Sequence, residues 1–417
     1  MISISEALKV IKHEIVALES ETVDLSESVG RVLAQTIKAD MDLPPFDRSQ
    51  MDGFAVKTSD VKNAPVKLKI IGVSIAGKGF DGELKNGEAV RIMTGARVPN
   101  GADAVQKVEL TNETKDYIEI LEPTKTKQHI IGRGEEIHKG EKIFEKGEII
   151  TENMIAALAS FGYAKVSVFR KPKVAILATG SEIVDVSDKP QKDRIRNSNS
   201  VMLKVLAEKA GANTEVLPLV EDNIENLKKQ IALAVGLNNK SRNPNTNSKS
   251  KIQNPKSKIL IITGGVSVGD YDFTKPALRE LGAEIFFEKV SLKPGKPTVF
   301  AKLNDVLIFG LPGNPVSVAV TFYLFARAAI MQMQNANNCN LRKGFAVASQ
   351  KIKGAKERDS FLPISLTTND KGHLIVESLR FSGSSNFIAF ARANALVYVP
   401  QGKTFEPGEI AEIVFLS

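Results

Sequence analysis

Cysteine is nearly missing from this sequence: 417 residues contain only Cys339. One thiol excludes an internal disulfide framework, and a reducing compartment, the cytoplasm, is the expected location. Histidine is also scarce. His13, His129, His138 and His373 are scattered, and with a single cysteine they offer no zinc-ligand spacing. No histidine accompanies the hydroxyl-bearing turns described below, so a nucleophile–His–Asp hydrolase is unsupported. The Gly-x-Gly-x-x-Gly dinucleotide fingerprint is read as absent, so hydride transfer is unsupported too. Long apolar runs are missing as well. Met1-Ile-Ser-Ile-Ser-Glu6 has neither the basic start nor the apolar centre of a signal peptide. The longest apolar stretch, Val316 to Met333, is broken by Thr321 and Arg327 and falls short of the roughly 20 apolar residues of a membrane span.

What is present is ordinary globular composition, 42% apolar and 25% charged, in a chain long enough for several domains. The net charge of +8 resembles a nucleic-acid binder, but its location argues otherwise. Lys240, Arg242, Lys249, Lys251, Lys256 and Lys258 sit in one Asn-, Ser- and Lys-rich tract, 238–258, with no acid. Outside it, bases and acids nearly balance, so no nucleic-acid face is expected. With Ile252 as its one large apolar residue, the tract cannot offset ordering entropy and reads as a disordered insertion.

The remaining pattern changes texture along the chain. Ser3 and Glu6 form a capping box ahead of an apolar stripe, Leu8, Ile11, Ile15 and Leu18, at helical spacing. From Pro44 to about Ile137, short alternating runs such as Val66–Ile70, Glu88–Ile92 and Tyr117–Leu121 predict a β-rich module. From Lys173, apolar runs alternate with helices: a strand Val174–Ala178, a helix 201–210, a strand 214–219, a helix 224–237 and a strand 258–263. That order predicts a doubly wound parallel sheet, whose ligands bind at the carboxyl ends of its strands. After Asn340, alternation returns at Leu374–Ser378 and Ala395–Val399, a second small β module. The fold class is therefore multidomain, α/β plus β.

Three turns stand at the expected binding edge. Thr263-Gly-Gly-Val-Ser-Val-Gly-Asp-Tyr-Asp272 follows a buried strand and precedes a helix. Gly264, Gly265 and Gly269 let backbone N–H groups, with Ser267, approach an anion, while Asp270 and Asp272 are suited to Mg²⁺. Lys293-Pro-Gly-Lys-Pro297 presents Lys293 and Lys296 on a turn stiffened by proline, as point charges for an oxyanion or phosphate. Gly310-Leu-Pro-Gly-Asn-Pro-Val-Ser317 opens a helix, with Gly313, Asn314 and Ser317 at its start. Together they predict a pocket for a polyanion. Glu182, Asp222 and the segment Arg194–Asn199 follow other strands and are each as readily caps or surface groups.

This ordered set resembles the molybdopterin molybdenumtransferases, the family of bacterial MoeA and of the E domain of gephyrin. The likeness rests on Pro44-Pro-Phe-Asp…Met51-Asp-Gly53, Arg91-Ile-Met-Thr-Gly95, Gly101-Ala-Asp-Ala-Val105, Thr179-Gly-Ser-Glu182, Ser198-Asn199 and the three turns above. It implies an elongated homodimer of four-domain subunits. These would be a discontinuous N-terminal helical and linker domain for dimerisation (1–43 with 138–169), a β-rich module (44–137), an α/β molybdopterin-binding domain (170–335) and a C-terminal β module (336–417). It implies molybdenum insertion into adenylylated molybdopterin from molybdate with Mg²⁺, giving molybdenum cofactor and AMP, in a cleft completed by the second subunit. By motif position, Asp52, Thr94, Glu182, Asp222 and Asp272 become catalytic. Lys293, Lys296, Pro297 and Ser317 line the anion site, and Ser384 completes it from the tail.

The chain departs from the family at Arg48 and Gln50, at Ile131 and Glu136, and at Pro363, where a second tail arginine beside Arg358 is lost. A separate adenylyltransferase would supply the substrate, and molybdoenzymes would receive the product. Two other readings remain: an adenylyltransferase of related α/β fold, and a dimeric scaffold with reduced catalysis. The additional Met51-Asp-Gly53 and Arg91–Thr94 blocks argue against the first, and the retained Asp52, Asp272, Lys293 and Lys296 against the second.

Overall fold

The computed structural model describes residues 1–221, 223–237, 257–266, 272–379 and 383–416. Three strands made almost wholly of aliphatic residues, Lys173–Ala178, Ile259–Thr263 and Val306–Leu311, lie side by side and parallel. Continuous apolar runs suit such strands because both sheet faces are covered. Alternate residues enter opposite cores: Val174 and Ile176 pack on one face, Ala175 and Leu177 on the other. Asn213–Val216 adds in parallel outside Lys173–Ala178. The chain thus leaves that strand to one side and returns on the other, which places a strand-order reversal between Lys173–Ala178 and Ile259–Thr263.

The sheet is mixed, not parallel throughout as the βα alternation predicts. Val299–Leu303 and Glu284–Phe287 complete it in antiparallel register. The cause is local. Asn304 and Asp305, at φ 48° and 60°, form a two-residue hairpin loop that returns the chain directly into its neighbour without a crossover helix. Phe300 sits at the heart of this edge, 5.0 Å from the Phe309 ring and 5.3 Å from that of Phe286. Each such buried ring contributes roughly 1.5–3 kcal/mol.

The helical run Pro315–Met333 spans 19 residues and is long and apolar enough to cross a membrane, despite Thr321 and Arg327. Of its most apolar window, 78% is buried against the sheet, so its apolar surface is consumed by the core. Its middle, Phe322–Ala326, widens into a π-helix.

The tail forms a closed barrel. Strands Asp359–Thr368, Leu374–Ser378, Lys343–Ala348, Ile410–Phe415 and Ala395–Val399 pair in that order, and the last pairs back with the first. The module around Met51-Asp-Gly53 is a six-stranded sheet including Gly53–Val56, Val66–Ser74 and Glu88–Ile92. Gly77, Gly79 and Gly82 do spell Gly-x-Gly-x-x-Gly there, but no helix follows them, so they form no dinucleotide cradle.

The capping box forms: Ser3 N–H donates to Glu6 at 2.7 Å, and Glu6 N–H to the Ser3 hydroxyl at 3.2 Å. The helix Ile4–Glu14 ends before Leu18, and the stripe packs on the α/β core of the same chain. Beyond it, Ser20–Asp24 pairs with Lys165–Phe169. Most of the basic tract, 238–256, lies outside the described residues. Lys258 already belongs to the sheet edge, its N–H donating to Lys173 at 2.8 Å.

Candidate functional site

The site begins where adjacent parallel strands end. Thr263 closes one strand and Leu311 its neighbour, in register. Both chains then turn in glycine. Gly264 has φ +93°, and a Cβ there would stand 2.1 Å from the Thr179 carbonyl oxygen. Only glycine allows this approach. A Cβ on Gly313 would lie 3.9 Å from the Gly264 Cα, so the two glycine turns lie side by side. The buried Thr263 hydroxyl donates to the Pro312 carbonyl at 3.2 Å and ties them together.

The lysine turn reaches the same edge by a different route. Leu292–Lys293 pairs in parallel with Asp359–Ser360 of the tail barrel, and Arg358 donates to the Leu292 carbonyl at 3.2 Å. Gly295 faces Thr321 of the long helix, whose Cγ2 would stand 2.4 Å from an added Cβ. The tail also clasps the start of that helix. Asn314 donates to the Ser384 hydroxyl at 2.9 Å, and Val316 N–H to the Ser384 carbonyl at 3.2 Å.

These contacts enclose a cavity of about 550 Å³ lined by Lys293, Lys296, Pro297, Gly313, Asn314, Ser317 and Ser384, with Arg358 and Leu362 from the tail. Seven residues singled out from sequence meet there. Among the described residues, three cations line the cavity and no carboxylate does. Among the described residues none of the three is ion-paired. Unneutralised cations around a concave space are the electrostatics of an anion site. Arg358 brings the planar fork that lysine lacks. From sequence it stood only as the retained one of two family tail arginines, because the strand pairing that delivers it to the cavity is long-range.

The other candidates lie elsewhere. Asp52 and Thr94 are together on the exposed face of the N-terminal sheet and do not line the cavity. Asp52 accepts from the Thr94 N–H at 2.7 Å and its hydroxyl at 2.8 Å, and these bonds hold its carboxyl below the usual range. Gly53 permits that turn, since a Cβ would fall 1.9 Å from the Gln106 carbonyl. Glu182 is exposed beyond the strand Lys173–Ala178. Asp272 stands just before the helix Thr274–Glu280, ion-paired with Lys275. Burial pushes its carboxyl up, the Lys275 ammonium opposing. Both carboxylate oxygens are shielded from solvent, with the Lys275 ammonium as their charged neighbour. Gly265 follows Gly264 at φ +58°. Asp222, Ser267, Gly269 and Asp270 lie outside the described residues.

Three departures from the family pattern converge at one place. Arg48 pairs with Ile131 across a short antiparallel ladder, and its guanidinium meets Glu136 at 3.0 Å.

Comparison with known proteins decides the family. The "MoeA N-terminal region (domain I and II)" profile matches residues 2–162, "Probable molybdopterin binding domain" matches 244–332, and "MoeA C-terminal region (domain IV)" matches 346–416. Molybdopterin molybdenumtransferase of Staphylococcus aureus (strain COL) is 34% identical over 99% of this chain and 95% of its own length. The chain belongs to the molybdopterin molybdenumtransferase family. The Staphylococcus epidermidis (strain ATCC 12228) relative is 33% identical over the same shares. The solved molybdopterin biosynthesis moeA protein of Pyrococcus horikoshii OT3 superposes with a TM-score of 0.81, at 30% identity, covering 100% of both chains. The chain is thus a transferase of molybdenum cofactor biosynthesis, in a family that acts on molybdopterin substrates. In a molybdenumtransferase, the cation-lined cavity and the paired glycine turns are the features that call for anionic ligands.

Proposed function

We propose that this molybdenumtransferase inserts molybdenum from molybdate into adenylylated molybdopterin, with Mg²⁺, forming molybdenum cofactor and releasing AMP. One observation carries the reading: a cavity lined, among the described residues, by three cations with no ion-pair partner and by no acid opens beside two glycine turns. Molybdate, a doubly charged oxyanion, suits Lys293 and Lys296 as point charges and Arg358 as a fork, with Ser317 and Ser384 hydroxyls to complete its hydrogen bonds. Gly264, Gly265 and Gly313 leave backbone bare for phosphate oxygens.

Mg²⁺ fits the chemistry of Asp272, a shielded carboxylate at the end of the glycine turn. Asp272 would hold it with Asp270, and the ion would supply charge stabilisation at phosphate oxygens. Asp52, kept ionised by Thr94, lies outside the cavity. In this reading a homodimer delivers the Asp52–Thr94 pair from a second copy, and the enzyme works in the cytoplasm. Glu182 and Asp222 are assigned to the same cleft.

The test incubates the protein with adenylylated molybdopterin, molybdate and Mg²⁺, and measures AMP release and activation of a cofactor-free molybdoenzyme. Both are expected to depend on molybdate. Formation of adenylylated molybdopterin from molybdopterin and ATP would instead mark an adenylyltransferase. Absence of both activities, with dimerisation intact, would mark a scaffold.

A further inference from the structure

Beyond the clasp of Asn314 and Ser384 lies a second cavity, of about 570 Å³, walled by Tyr323, Phe387, Phe390, Met202, Pro315 and Ser198. It opens where the α/β domain meets the tail, between the helix Ser198–Lys209, the long helical run and the short tail helix Phe387–Phe390. Neighbouring residues tie it to the anion cavity. Asn314 lines one cavity and Pro315 the other, while Ser384 lines one and Phe387 the other. Gly313 and Asn314 are exposed, so the clasp is a surface ridge between two hollows.

Tyr323 reaches this cavity from the π-helical turn Phe322–Ala326, and such turns recur at functional sites. Phe322 and Phe325 stay fully buried in the core, while Tyr323 between them is half-buried. The Phe322 ring stands 6.2 Å from that of Tyr323 at 76°, an edge-to-face contact that braces the tyrosine. The Tyr323 hydroxyl has no hydrogen-bond partner among the described residues. Burial raises its pKa, the Arg327 charge opposing, so at neutral pH it stays a proton donor. Ser198 adds an exposed hydroxyl at the rim. Apolar walls, three aromatic rings and a few hydroxyls at a domain boundary describe a small-molecule pocket. The anion cavity is the reverse: it has charges and hydroxyls, and among the described residues no aromatic ring. A nucleotide-linked pterin calls for both. Its phosphates are anionic, while its bicycles have apolar faces and hydrogen-bonding edges.

We propose that this cavity is a ring subsite for the molybdopterin nucleotide: a heteroaromatic bicycle lies against Phe387 and Tyr323, its polar edge toward the Tyr323 and Ser198 hydroxyls, while the phosphates cross the ridge at Gly313. The proposal rests on the reading that the neighbouring cavity binds the oxyanions of the same reaction. Pterin and adenine share this chemistry, and the two sources are separable by experiment.

The chain contains no tryptophan, so pterin fluorescence can be followed without an indole background. Dissociation constants for molybdopterin, AMP and molybdate are measured anaerobically on wild type, Phe387→Ala, Tyr323→Phe and Ile388→Ala. Phe387 and Ile388 are 50% and 65% exposed, so both truncations spare the core. Phe387→Ala removes a stacking wall and should weaken either molybdopterin or AMP at least about fivefold, naming the ring. Tyr323→Phe keeps the ring but not the donor, and should weaken the same ligand about threefold. Ile388 does not line the cavity, so Ile388→Ala should leave all three affinities unchanged, and Phe387→Ala should leave that for molybdate unchanged. Unchanged binding of both ring ligands to Phe387→Ala would overturn the proposal, as would equal losses in Ile388→Ala. So would a Phe387→Ala protein that keeps every affinity but loses self-association in sedimentation velocity, which would mark a contact between copies. Wild type that binds molybdate but neither ring ligand would overturn the proposal alone. Wild type that binds none of the three would overturn the underlying reading, and the proposal with it.

Discussion

Gly264→Ala tests the physical basis of the site edge. The substitution adds one methyl group, and two separate costs follow from the structure. At φ +93° an L side chain is strained, which costs about 1–2 kcal/mol. The new Cβ would also stand 2.1 Å from the Thr179 carbonyl oxygen, far inside contact distance and against backbone that has no rotamer to change. Relief requires separating the ends of Lys173–Ala178 and Ile259–Thr263, which Thr179 N–H and the Thr263 carbonyl join at 3.0 Å. Overpacking of this kind costs about 1–3 kcal/mol. The sum, about 2–5 kcal/mol, is a large part of a typical domain's stability of about 5–15 kcal/mol. Gly282→Ala isolates the first cost, because its φ is +78° and nothing lies within 4 Å of the added Cβ. Urea unfolding followed by far-ultraviolet circular dichroism should place Gly264→Ala below Gly282→Ala by about 1–3 kcal/mol at unchanged slope. Equal losses in the two variants would refute the steric argument.

Four other outcomes are expected. Lys296→Ala should raise the molybdate concentration needed for cofactor formation at least about tenfold at saturating pterin substrate, with Arg at 296 restoring only part, since a fork differs from a point charge. Collapse of pterin binding at unchanged molybdate demand would assign Lys296 to the phosphates instead. Asp272→Asn should shift the Mg²⁺ dependence of turnover to higher concentration and lower turnover more than substrate binding. Because burial raises the Asp272 pKa, its charged form costs stability as pH rises from the unfolded value, about 3.9, through the raised folded one, and the variant should lack that fall. Thr94→Val removes one of the two bonds lowering the Asp52 pKa, so its carboxyl should titrate higher by NMR. The stabilisation from Asp52, present above the unfolded pKa and lost as pH falls through the depressed folded one, should then disappear at higher pH than in wild type. Replacing residues 240–254 by a short Gly-Ser linker should change stability by no more than about 1 kcal/mol and leave activity intact, as loop-length entropy scales logarithmically. An insoluble or inactive product would contradict this.

Local patterning was enough for the elements whose cause is local. Glu88–Ile92, Leu374–Ser378 and Ala395–Val399 occur as strands at the residues where alternation places them, and Ser3 and Glu6 cap their helix as their spacing requires. The aliphatic runs at 174–178 and 259–262 announced buried parallel strands, and with them which edge of the sheet carries the glycine and lysine turns. The tertiary structure decided what depends on distant partners. The Asn304–Asp305 hairpin turned the sheet mixed, and because the helix stops at Glu14, Ile15 and Leu18 reach the same core from beyond its end. Arg358 enters the cavity only because Asp359–Ser360 pairs with Leu292–Lys293, a register no local periodicity encodes. The same holds for the second cavity, where Ser198, Tyr323 and Phe387 arrive from segments far apart along the chain. Periodicity and turn chemistry act over a few residues and are written in the sequence. Which cations share one cavity, and which rings share the next, follow from strand order and long-range register, and these exist only once the chain has folded.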